Sequence, residues 1–159
     1  MTQPLVQFVD TNAAIICAET TLNANVQELY TFIANPAKHC ELDGGGSVQK
    51  LLSQQTPELT TGDRFTEKMF LLLPYQMTLT VTRAQKNQFI TWRHPAGHEW
   101  GWELIDHHDG SVTVRETFDA REARWGRYSL HPIYKVLGMY RRNRKNIALS
   151  LAKLHRTFK

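Results

Sequence analysis

The chain has 159 residues, 42% of them hydrophobic and 21% charged, proportions that exclude a disordered chain and fit one folded domain, residues 1–159. The net charge of +4 permits an acidic partner without requiring one, because the basic residues gather in one cluster, Arg141, Arg142, Arg144 and Lys145. No apolar run approaches the ~18 residues of a membrane span, and MTQPLVQFVDTN carries no signal-peptide pattern, so the expected setting is cytoplasmic, neither secreted nor integral to a membrane.

Residues 1–12 read as a loose leading segment. The β-branched run 13–22 predicts a strand, which leaves Cys17 and Cys40 on different elements without CxxC spacing, as reduced thiols rather than a disulfide. Asn23 or Asn25 offers a cap for a helix carrying Val26, Leu29, Tyr30 and Ile33, stopped at Asn35-Pro36. The next stretch, HCELDGGGSV at 39–48, sets His39, Cys40, Glu41 and Asp43 beside three glycines. Adjacent His and Cys side chains diverge, no second ligand pair accompanies them, and the glycines open no helix, so neither a metal site nor a phosphate loop is expected. A corner is the simpler reading, with Asp43 bonding its own backbone near the mouth of any cavity.

Strands are predicted at 47–52, 64–73, 75–85, 89–94, 99–106 and 111–120, separated by turn chemistry that includes the Asp-Gly of residues 109–110. This is an antiparallel meander. From Pro132 to Phe158 the period changes to that of an amphipathic helix of ~26 residues and ~40 Å, with Gly138 as a point of kink or close approach. No repeat interrupts the chain. A curved sheet of six to seven strands and one long helix hide their apolar faces best when the helix lies across the concave side, an α+β architecture with two short helices near the start.

Alternation assigns the inward side chains: Phe65, Glu67, Met69; Tyr75, Met77, Leu79; Trp92, His94; Trp100, Trp102; and Val114, Glu116, Phe118. The helix contributes Leu137, Tyr140 and Arg144, the last lying in the apolar seam between Tyr140 and Ile147, while Arg141, Arg142 and Lys145 are expected to face solvent. Glu67 and Glu116 stand out because a buried carboxylate must be neutralised, paired or wetted. They either orient a bound molecule with Arg144 and His94 or form structural ion pairs; the pattern leaves both open.

The order of strand, helices, meander and long terminal helix, with HCELDGGGSV, GDRFTEKMFLLLPYQMTLTV, FITWRHPAGHEWGWEL and VTVRETFD, resembles the START/Bet v 1-like helix-grip superfamily, also called SRPBCC or the polyketide cyclase/dehydrase and lipid-transport proteins. The likeness is to a bacterial branch and covers nearly the whole chain, but includes no catalytic signature. It implies a cavity between sheet and helix that binds or carries a small hydrophobic or aromatic molecule, with no cofactor and no metal. Two alternatives remain: an aromatase or cyclase using Glu67, Glu116 or His94 as acid and base, and a protein that meets an anionic partner through its basic helix. Nucleic acid is not an expected partner, since no stacking platform or groove-reading motif accompanies the cluster. Oligomeric state is not legible.

Overall fold

β-branched and aromatic residues at every second position let the strands pair into a sheet with one dry face. A computed structural model describes residues 5–9, 12–54 and 56–158. After a two-residue strand β1 (Gln7–Phe8) comes β2 (Ile15–Asn23), then helix α1 (Val26–Ala34) and a 3-10 turn (Pro36–Lys38) that runs into the short helix α2 (His39–Leu42). The meander follows: β3 (Val48–Leu51), β4 (Arg64–Leu71), β5 (Leu73–Gln85), β6 (Phe89–Arg93), β7 (Glu99–Asp106) and β8 (Ser111–Asp119). A small ribbon, β9 (Arg124–Trp125) and β10 (Tyr128–Ser129), leads to α3 (His131–Val136) and α4 (Met139–Thr157).

The large sheet has the order β1-β2-β8-β7-β6-β5-β4-β3, antiparallel throughout. The expected helix-grip architecture is the one formed, and the sheet is wider than six to seven strands because β1 adds to the free edge of β2, pairing Gln7 with Glu19 and Phe8 with Ala18. Part of the segment expected to be loose is therefore a strand, while residues 1–4, 10 and 11 lie outside the described residues. The inward face carries Ile16, Ala18, Leu22, Phe65, Leu79, Val81, Ile90, Trp92, Trp102, Leu104, Val112, Val114 and Phe118, all buried. Outward, Thr and charged pairs satisfy one another, as where Arg115 bridges Glu19 and Glu103 across three strands at 2.8 and 2.9 Å.

Helix α1 starts where Asn25 accepts hydrogen bonds from the N–H groups of Gln27 and Glu28, and it buries Leu29, Tyr30, Ile33 and Ala34. Asn35 caps the following turn in the same way through Ala37 N–H. The turn between β4 and β5 falls on Leu72, at φ 64°, with Leu71 opposite Leu73, so Pro74 lies inside β5 opposite Phe70 rather than ending a strand.

The terminal helix is not one rod of 26 residues. Gly138 takes φ 70° and divides it into α3 and a 19-residue α4, about 28 Å long. A left-handed residue stops the helical hydrogen-bond ladder, which only glycine does cheaply. Pro132 sits in the first turn of α3, where Ser129 Oγ accepts from His131 N–H. Helix α4 then packs over β2 and β8 with Asn143, Ile147, Ser150, Leu151 and Leu154 inward.

The glycine corner meets α4 closely. A Cβ on Gly44 would fall against the backbone of Leu149 and Ser150, and Gly44 N–H instead donates to Ser150 Oγ at 2.8 Å. Asp43 bonds its own loop, accepting from Gly45 N–H at 3.1 Å and Val48 N–H at 2.8 Å. Cys17 and Cys40 are not joined in a disulfide.

Candidate functional site

Between the sheet and the helices α2, α3 and α4 lies a cavity of about 280 Å³, roughly twice the ~150 Å³ of an engineered apolar cavity that admits benzene. Its floor is Glu67 and Met69 from β4, Tyr75, Met77 and Leu79 from β5, Trp92 from β6, Trp100 and Trp102 from β7 and Glu116 from β8, with His94 and His98 on the turn between β6 and β7. The roof is Tyr134 of α3 and Met139, Arg142, Asn143, Asn146 and Ser150 of α4. His39, Leu42, Asp43, Ser47 and Val48 close one side, which places the glycine corner at the cavity. Leu71 and Tyr75 line the cavity and are also exposed, so it opens beside the β4–β5 hairpin.

Ten of the inward residues read from the sequence meet here: Glu67, Met69, Tyr75, Met77, Leu79, Trp92, His94, Trp100, Trp102 and Glu116. Phe65, Val114 and Phe118 are buried in the core instead, behind the lining. Tyr140 packs on Phe118 and bonds His131. Leu137 is turned out, 70% exposed, because the break at Gly138 ends the helical phase that would have faced it inward. Arg144 lies over the ring of Phe8, 3.7 Å from its centroid, rather than in the seam. The seam position belongs to Asn143, and the arginine that reaches the cavity is Arg142, one residue earlier and expected outside.

The two inward carboxyls have different surroundings. Glu67 is buried and its Oε1 lies 2.6 Å from His39 Nδ1. His39 Nε2 donates to the carbonyl of Ile33 at 3.0 Å, which fixes one ring proton there. The contact to Glu67 therefore holds a single proton, carried by nitrogen in an ion pair or by oxygen in a neutral one. His39 also stacks on Trp92, with ring centroids 4.8 Å apart. This partner of Glu67 was not foreseen: His39 sits on a helix of one turn, 28 residues away in sequence.

Glu116 has no such partner. It is 5% exposed, its Oε2 makes no hydrogen bond, and burial, reinforced by the negative charge of Asp43, holds its carboxyl well above the usual carboxylate range. Burial thus favours its protonated form, which is a hydrogen-bond donor in the cavity wall. Arg142 Nε is likewise buried without a partner. At the other end, His94 and His98 stack with centroids 4.2 Å apart, and His98 Nδ1 bonds the hydroxyl of Tyr134 at 2.8 Å. Burial lowers both histidines, and His94 helps push His98 down to about 3. Both are neutral polar groups at pH 7. His94 Nδ1 accepts from Ala96 N–H at 2.9 Å, so its proton is on Nε2.

What this wall can do is surround an apolar or aromatic body with Trp, Met and Leu while offering a few oriented donors. Among the described residues, no group of three or more His, Cys, Asp or Glu is placed to hold a metal ion.

An uncharacterized protein of Mycobacterium tuberculosis is 34% identical to this chain over 150 residues, 94% of the chain and 66% of that protein; the chain thus spans just under two thirds of the curated relatives it matches. No family model matches. Among solved structures, a protein from Arthrobacter aurescens superposes with a TM-score of 0.70 at 11% identity, covering 95% of this chain and 92% of its own. A polyketide-cyclase-like protein from Corynebacterium glutamicum does so with a TM-score of 0.58 at 12% identity, covering 91% and 90%. The chain shares the helix-grip fold with these structures.

Proposed function

We propose that the chain binds a small, mostly apolar or aromatic molecule in the cavity between the sheet and α4, and that this molecule carries a hydrogen-bond acceptor such as a carbonyl. The observation behind this reading is Glu116: a carboxyl in the cavity wall that burial pushes toward its protonated form, and whose Oε2 has no hydrogen-bond partner among the described residues. A polar group of that kind costs ~1–3 kcal/mol of stability while it stays unpaired. An acceptor on a ligand removes that cost on binding, so the site favours carbonyl-bearing guests over hydrocarbons of the same shape. The three tryptophans supply the apolar contacts, at about 25 cal/mol per Å² of surface buried.

Tryptophan fluorescence gives the test, since Trp92, Trp100 and Trp102 line the cavity. Acetylnaphthalene and ethylnaphthalene have nearly the same shape, and only the first has a carbonyl. The ketone should bind more tightly, and Glu116→Leu should erase its advantage with a loss of about tenfold, the worth of one hydrogen bond. Glu116→Gln, which keeps a donor, should retain most of it. Equal affinity for both compounds in all three proteins would refute the reading. Native mass spectrometry of the purified protein should in addition detect a co-purified molecule of this class.

A second reading has its own observation. The proton held between His39 and Glu67 borders the same cavity as the acid Glu116, and a base plus a neutral carboxylic acid is a pairing that moves protons next to a carbonyl. Sharing a fold with a polyketide-cyclase-like protein suits that chemistry. Turnover of a poly-β-keto substrate, abolished by Glu67→Gln, would favour an enzyme over a carrier.

A further inference from the structure

The β4–β5 hairpin ends in Phe70, Leu71, Leu72, Leu73 and Pro74, and its tip is apolar and outside the core: Leu72 is 90% exposed and Leu73 73%. A second apolar group stands at the break between the terminal helices, where Val136 is 86% exposed beside Leu137 and Ile133. The two groups are linked by the cavity. Leu71 and Tyr75 of the hairpin and Tyr134, Met139 and Arg142 around the break all line it. Single exposed apolar side chains are ordinary, but apolar groups clustered like these mark a surface that meets a partner.

The charge beside them is of one sign. No Asp or Glu occurs after Glu122, and none between Lys68 and His98, so both segments at the mouth are free of acidic residues. Lys68 on the hairpin, Lys135 on α3, and Arg141 and Lys145 one turn apart on α4 are all exposed. The ribbon that leads into α3 adds exposed Trp125 and Tyr128, with Arg127 stacked on the tyrosine ring. The carboxylate lining the mouth, Asp43, is turned to its own loop N–H groups. Aliphatic tips inside a basic, acid-free collar, with interfacial aromatics alongside, match a bilayer of anionic phospholipid: the tips enter the headgroup region and the cations meet the surface charge. A protein groove would be complementary to the tips but gives no reason for the absence of acid along both segments.

We propose that the hairpin tip Phe70–Tyr75 and the α3–α4 break form a docking surface for anionic membranes, which brings the cavity mouth against the lipid. Association is peripheral, as no helix among the described residues is long and apolar enough to cross a membrane. The proposal does not depend on what the cavity holds.

Co-sedimentation with phosphatidylcholine vesicles, with and without about 30% phosphatidylserine, tests it. The whole chain should bind the anionic vesicles at least about tenfold better, and raised salt should weaken the binding. Leu72→Glu and Val136→Glu, at exposed positions that leave the fold intact by circular dichroism, should each reduce binding about tenfold, and Lys135→Glu with Lys145→Glu should do so on anionic vesicles alone. No binding, or binding indifferent to the apolar substitutions, overturns the proposal. So does a dimer that dissolves on Leu72→Glu while the wild type ignores vesicles, which would assign the patch to a second copy of the chain. Acetylnaphthalene affinity measured without vesicles should be unchanged in Leu72→Glu, so failure of docking and failure of cavity binding are separate results.

Discussion

Glu116 and His98 are buried titratable groups with opposite consequences for stability. A carboxyl that keeps its proton in the folded state above the ~4.3 of the unfolded chain weakens folding as pH rises, because the unfolded state then releases a proton that the folded state retains. That loss continues until the raised folded value is passed. Glu116→Gln lacks it, so chemical denaturation of the two proteins should show wild type losing stability relative to the variant from about pH 4.5 upward. A difference that stays flat would mean the carboxyl is not held protonated. His98 works in acid: its folded value, pushed down to about 3, lies below its unfolded one, so the stability it contributes is complete above about pH 6.5 and falls by up to about 1.4 kcal/mol per unit as pH drops toward 3. His98→Phe should flatten that part of the acid titration.

At this scale the sequence showed both inward glutamates through period-two alternation, and could not tell them apart. What separates Glu67 from Glu116 is His39, brought across by a one-turn helix whose residues carry no periodic signal. Asn143 and Arg142 were hidden for another reason. The spacing of Tyr140, Arg144 and Ile147 suits an apolar seam, yet the buried position is a polar one that helps line the cavity, and hydrophobic pattern is blind to it.

Two glycines govern how the helical elements sit. Gly138 has open space where a Cβ would go, so the cost of replacing it is conformational, the ~1–2 kcal/mol of left-handed backbone in a side-chain-bearing residue. Gly138→Ala should lower stability by about that much, and Gly138→Asn by less. Gly44 is the reverse case: its constraint is contact with the backbone of α4, and Gly44→Ala should cost roughly 1–3 kcal/mol through overpacking. Urea denaturation checks both. Similar losses at the two sites with no dependence on the residue introduced would argue against these separate causes. The break at Gly138 was legible as a weak point in a helical pattern, but its consequence was not. A glycine lowers helix propensity without saying whether the chain bends or stops, and only the stop turns Leu137 and Val136 outward.

Across the whole molecule, the strands from β2 to β8 followed from β-branched runs, alternation and the turn chemistry between them. β1 escaped notice since two residues show no period. The cavity was expected from likeness to a fold, and its dimensions come from the distance at which α2, α3 and α4 stand off the floor, which no local pattern encodes. The apolar tips and the acid-free collar are the converse: each is plain in the sequence, and only the fold brings both to one opening.

The most direct test is a crystal of this chain soaked in acetylnaphthalene. The account predicts the naphthalene rings among Trp92, Trp100, Trp102 and Met77, with the ketone oxygen at about 2.7 Å from Glu116 Oε2. Side chains closing the space, or ordered water alone beside Glu116 at saturating ligand, would contradict it.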